Sequence, residues 1–252
     1  WYGIWLLPLG LLYFSALVMN MAGVWDVRSF TSISLYLLAP TLVAAVAIFQ
    51  KKETGWGSWV DIAIIALLWL PWDLDLVQKS WKIEKLDYPF NAGIAMIFAI
   101  LIYTAFRKRD LSLDWSFPKK DLWLVAGLFV AVLGSLLPIA LAIDFVNPGL
   151  NPKVIKEPAL AILYFVGIWF APALAEEIIF RGVIQSVLVE KLKPIAGILI
   201  ASAIFALSHV NNKEGGRDLP NWTYVALSFP AGIAYGSACH FSKKFGSANA
   251  LG

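Results

Sequence analysis

An all-α, polytopic membrane bundle of about eight transmembrane helices is the fold this sequence predicts, and three observations predict it. Hydrophobic residues fill 60% of the 252 positions and charged residues only 15%, with a mean hydropathy of +0.72, outside the balance of a water-soluble domain. The apolar residues gather into segments near the length of about 20 residues that crosses a hydrocarbon core of roughly 30 Å. Lipid offers backbone groups no hydrogen-bond partner, so each such segment must be helical.

In chain order the segments are 5–21, 32–49, 59–72, 90–106, 122–143, 160–189, 195–210 and 224–239. The third is short and suits a tilted or re-entrant path. The sixth is too long for one straight crossing, and Pro172 is expected to kink it. Trp25, Trp56, Trp59, Trp72 and Trp123 stand at segment edges, where an amphipathic ring favours the interface. Alternate loops collect eleven basic residues on one side against eight on the other, a small excess that favours an outside amino terminus. The stretch FRKRDLSLDW, 106–115, is the best single cytoplasmic marker.

No linker, repeat or low-complexity tract divides the chain. Its chemistry does: residues 1–120 are expected to add transmembrane helices of unknown role, and residues 121–252 to form the functional core. A net charge of +3 spread over short loops argues against nucleic acid as a partner. The single cysteine, Cys239, excludes an internal disulfide and any CxxC motif.

The core carries the anomaly. In LAEEIIFRG, 174–182, two glutamates and an arginine interrupt one of the most apolar stretches of the chain. Each such charge at bilayer depth costs from about 2.5 kcal/mol upward and normally faces a protein interior or a wet cavity. Glu177 and Arg181 are four apart, so they share a helix face and can pair, whereas Glu176 points about 100° away. The next segment holds FALSHV, 205–210, with one of the chain's two histidines. A hairpin folded about Leu192 and Lys193 opposes Glu176 to His209 and Phe180 to Phe205, each roughly 25 Å from the turn. A carboxylate and an imidazole at one depth are suited to acid–base chemistry.

EEIIFR resembles the EExxxR motif, and FALSH the FxxxH motif, of the CAAX-protease and bacteriocin-processing intramembrane proteases. That group includes the Rce1-type prenyl-protein endopeptidases and bacterial abortive-infection-like proteins. The resemblance covers about residues 122–252 and implies an Rce1-like core that hydrolyses a peptide bond of a membrane-associated peptide or protein. By analogy Glu176 activates water, His209 shares in positioning and deprotonating it, Glu177 and Arg181 hold the site, and Phe180 and Phe205 support it. The family's third motif, HxxxN, is not matched, because His240 is followed four residues later by Lys244. His240 is therefore expected at the interface, and the tail KKFGSANALG, 243–252, to lead toward a motif further along a longer native chain.

No HExxH and no cysteine cluster offers a zinc site by spacing; no metal is assigned, although zinc occurs in descriptions of the family. Gly232 and Gly236 form a GxxxG spacing that suits packing within the chain, with a homodimer as the alternative. The loop NNKEGGRDLPNW, 211–222, follows His209 directly and is read as a connection or a cover over the site. A non-catalytic membrane scaffold or immunity protein of the same fold is the runner-up reading. A transporter relaying protons through Glu176 and His209 is poorer, since no inverted repeat is evident.

Overall fold

The computed structural model describes residues 27–49, 59–74, 119–147 and 173–242 continuously, with isolated positions elsewhere, and every regular element among them is helical. The expected segments 5–21 and 90–106, apart from isolated positions, the kink at Pro172 and the basic cluster after residue 106 lie outside the described residues. The chain divides into two compact units, Trp1–Leu111 and Ser112–Gly252.

In the first unit α1, Val27–Phe49, packs against α2, Trp59–Asp73. Each carries a proline inside it, Pro40 and Pro71, which breaks the backbone ladder and is tolerated where neighbours resupply partners. Tyr36 ties the pair together, donating its buried hydroxyl to the Leu68 carbonyl at 3.1 Å. Leu37 and Ala44 of α1 and Ile64 of α2 are fully buried.

The second unit begins with α3, Lys119–Ala142. Within it, Asp121–Ala142 is the one helix among the described residues that is long and apolar enough to cross a membrane. Ser34–Ala47, Val60–Pro71 and Pro194–Leu207 are apolar but shorter. Only 6% of the α3 window is buried, and Leu122, Trp123, Val130 and Ile139 are exposed. The core helix of a water-soluble protein would be mostly covered; this apolar surface suits lipid.

After α3 the chain forms α4, Leu174–Glu177, which runs without a break through a π-helical stretch, Ile178–Gln185, into α5, Ser186–Leu192. A regular α-helix was the expectation here. The π stretch is eight residues long and wholly buried, longer than the single-turn bulges in which this geometry usually occurs. Its wider winding suits the large polar side chains Arg181 and Gln185 that project from it.

α6, Pro194–Leu207, folds back at Lys193, the junction the sequence indicates. Lys193 takes φ 75° and ψ 159°, near a region held almost only by glycine, and Pro194 stands at the helix start, where a missing N–H costs nothing. At Gly197 the two arms come so close that a Cβ would lie 2.6 Å from Val189 Cα and 2.8 Å from the Leu188 carbonyl carbon. α7, Trp222–Ser242, packs against α6 and α3, with Val125 of α3 and Ala238 of α7 forming a buried contact.

Two substitutions test this turn by denaturant unfolding in detergent. Gly197→Ala should force backbone apart and destabilise the protein by about 1–3 kcal/mol or more. Lys193→Gly should relieve the strained dihedrals and stabilise it by about 1 kcal/mol.

Candidate functional site

Three helices converge on Arg181. The residue is 2% exposed, and its guanidinium stays charged at any ordinary pH, so its surroundings must replace water. Nη1 lies 3.1 Å from Glu177 Oε1; the contact is an ion pair and not an aligned hydrogen bond, since Nη1 has no partner of hydrogen-bond geometry. Nη2 donates to the Gly232 carbonyl of α7 at 3.4 Å. The guanidinium carbon sits 4.2 Å from the centre of the Phe205 ring and 5.2 Å from that of Tyr235, distances at which an aromatic face attracts a cation.

One turn further on, Gln185 repeats the pattern. Its Nε2 donates to the Gly236 carbonyl at 2.9 Å, again buried, and Ser186 Oγ donates to the Arg181 carbonyl at 3.1 Å. Arg181 and Gln185 thus bridge to Gly232 and Gly236 as two rungs, four residues apart on each helix. The glycines make the approach possible. A Cβ on Gly232 would lie 3.0 Å from Phe205 Cδ1 and 3.2 Å from Ser202 Cβ, and one on Gly236 would run into Gln185 Oε1. The GxxxG face is therefore occupied from within the chain.

His209 closes the carboxyl end of α6. Its Nδ1 is 2.9 Å from the Phe205 carbonyl oxygen and 3.2 Å from Ser208 Oγ. A carbonyl only accepts, and Ser208 Oγ donates its own proton to that same carbonyl at 2.6 Å. Nδ1 must then carry the imidazole proton, which leaves the lone pair on Nε2. The ring lies edge-to-face between Phe205 at 4.8 Å and Tyr224 at 4.5 Å.

The residues singled out from sequence fall into three groups. Glu177, Arg181, Phe205 and His209 sit in one cluster, and Phe180 joins it through a ring contact with Phe205 at 5.2 Å. Glu176 is half-buried, lies within Coulombic reach of Glu177 and Arg181, and makes no hydrogen bond or ion pair among the described residues. Its neighbour Glu177 is 2% exposed and engaged by the guanidinium. His240 stands apart: its ring packs on Phe241 at 5.3 Å, and sixteen residues of helix, about 24 Å, separate it from Tyr224.

Sequence reasoning did not find Gln185, Tyr224, Tyr235 or Asn221. Gln185 had a readable signal, its spacing of four from Arg181. Asn221 joins the loop to α7: its N–H donates to the Val210 carbonyl at 2.7 Å, its side-chain amide donates to the carbonyls of Asn212 and Glu214 at 2.8 and 3.0 Å, and its Oδ1 caps the helix by accepting the Tyr224 N–H at 3.0 Å. The two tyrosines meet the cluster only through the packing of α6 on α7.

Among the described residues no three His, Cys, Asp or Glu side chains come together as metal donors. A catalytic zinc takes three protein ligands; here the Nδ1 bond to a carbonyl leaves Nε2 of His209 as a donor, while Glu177 faces a guanidinium.

Residues 158–249 match the family model described as type II CAAX prenyl endopeptidase Rce1-like. The matched span contains the charged stretch, His209 and all of α7. No curated protein and no solved structure matches the chain.

Removing one partner of the buried pair should be far costlier than removing both. Arg181→Leu leaves the Glu177 carboxylate buried without its counter-charge and should cost about 3–5 kcal/mol. The double variant Glu177→Leu, Arg181→Leu should recover most of that loss, read as a double-mutant cycle of unfolding free energies.

Proposed function

We propose that this chain, which carries an Rce1-like domain at residues 158–249, is an intramembrane endopeptidase that hydrolyses a peptide bond of a membrane-associated peptide or protein. The observation that carries the reading is the coincidence of that family match with a carboxylate, Glu176, unpaired among the described residues, beside a cluster that ends in an imidazole of defined tautomer. Water attacking an amide needs a base to take its proton and a donor to return one to the leaving amine. Glu176 is the base in this reading, because Glu177 is held by Arg181 and faces α7. His209 offers Nε2 to the same water and carries the proton onward. Glu177, Arg181 and Gln185 position the helix, and Phe180 and Phe205 fill the space beneath.

In this reading the core belongs to a bundle of about eight crossings, the reaction runs within the membrane, and the substrate is a lipid-anchored or membrane-inserted chain. The alternative, a non-catalytic membrane scaffold or immunity protein of the same fold, draws on the Glu177–Arg181 pair, which by itself is a helix-packing device.

Cleavage of a fluorogenic membrane-peptide library by the purified full-length protein in detergent separates the two. Glu176→Ala and His209→Ala should each lower the rate on the order of 10²–10⁴-fold with helicity and unfolding unchanged. Wild-type rates in both variants would sink the assignment of the acid–base pair.

A further inference from the structure

His209 is held at one nitrogen by a carbonyl of its own helix, four residues back. That bond alone does not define the ring. A histidine at a helix end has several rotamers, and only one of them keeps Nδ1 over the Phe205 carbonyl. Something must stop the imidazole from swinging outward. Phe205 bounds one side, and the other is bounded by Tyr224, whose ring centre is the nearer of the two at 4.5 Å.

Tyr224 is itself held at its backbone and behind its ring. Its N–H is capped by Asn221 Oδ1 at 3.0 Å. The N–H of the same Asn221 donates to the Val210 carbonyl at 2.7 Å, one residue beyond His209, so a single side chain and its backbone link the histidine's helix to the tyrosine's. Behind Tyr224 lies Phe145, from the turn after α3, with ring centres 5.3 Å apart. Phe145 in turn rests on Gly215, which has φ +67° and where a Cβ would strike the phenyl ring, while Arg217 donates to the Ile143 carbonyl. The loop after His209, the end of α3 and the start of α7 therefore brace one ring. The hydroxyl of that ring makes no hydrogen bond among the described residues and lies within Coulombic reach of Glu176.

We propose that Tyr224 is the positioning residue of His209: its ring, backed by Phe145 and carried on a backbone that Asn221 anchors, holds the imidazole against the Phe205 carbonyl and so keeps Nε2 as the nitrogen that meets the reacting water. The kinetic consequence rests on the endopeptidase reading; the ring geometry does not.

The sequence has two histidines, His209 and His240, so nitrogen-15 labelling of histidine in the full-length protein, with His209→Gln as the assignment control, identifies the His209 imidazole. At mildly alkaline pH the His209 nitrogens should report one neutral tautomer with the proton on Nδ1. Tyr224→Phe keeps the ring and should keep that pattern. Tyr224→Leu, or Tyr224→Met if the leucine variant does not fold, should average the two nitrogens and lower kcat on the order of 10- to 100-fold at unchanged KM. A wild-type nitrogen pattern in the ring-less variant overturns the assignment, as does an averaged pattern with wild-type kcat. An averaged pattern in a protein whose wild type cleaves nothing upholds the Tyr224 contact and removes the peptidase reading.

Discussion

A guanidinium that cannot lose its charge sits where water cannot follow it, and the second unit is arranged around that constraint. Arg181 is compensated by a carboxylate one turn back, a carbonyl on the facing helix and two aromatic faces. Each compensation places a demand on sequence elsewhere. The carbonyl is reachable because residue 232 has no Cβ, and Phe205 can lie flat on the cation because Ser202 and Gly232 leave it room. The π-helical winding of Ile178–Gln185 accompanies the same need, since it carries Arg181 and Gln185 toward one helix while Ser186 reaches back five residues to the Arg181 carbonyl. Packing and electrostatics are the same interaction here.

That arrangement divides the labour between two adjacent carboxylates. Glu177 is buried and neutralised in place by Arg181; a group so held has little capacity left for chemistry. Glu176, one residue earlier and half-buried, carries no such partner among the described residues. Two carboxylates in different environments can take different roles. Phe205 links this arrangement to the histidine, since it stacks on Arg181 and on His209 and its carbonyl fixes the imidazole proton.

Much of this was legible in the chain. Composition pointed to a helical protein with apolar helix surfaces, because backbone groups in hydrocarbon have no partner outside their own helix. The spacing of Glu177 and Arg181 announced their pair, and the position of Lys193 before Pro194 announced the turn, which brings Phe180 to Phe205. Less legible was the winding of the helix between them. An α-helix and a π-helix of the same residues have the same apolar pattern over a single turn, and only the facing carbonyls of α7 distinguish them. The helix ends were also less legible: the apolar run 195–210 is shorter as a helix than as a hydropathy segment, since Pro194–Leu207 ends before His209, where the chain turns.

By itself, then, the sequence determined the class of fold, the hairpin, the buried ion pair and the two motifs that point to a peptidase, because these depend on neighbours within a few residues or on solvent preference alone. Tertiary structure decided which glutamate is engaged, which nitrogen of His209 faces the Phe205 carbonyl, and that Gln185 meets α7 and Tyr224 meets His209. Those outcomes rest on α7 meeting α6 and the π stretch at Gly232 and Gly236. A contact between residues about 50 positions apart is set by which surfaces fit together, and that information is carried by no local period of the chain.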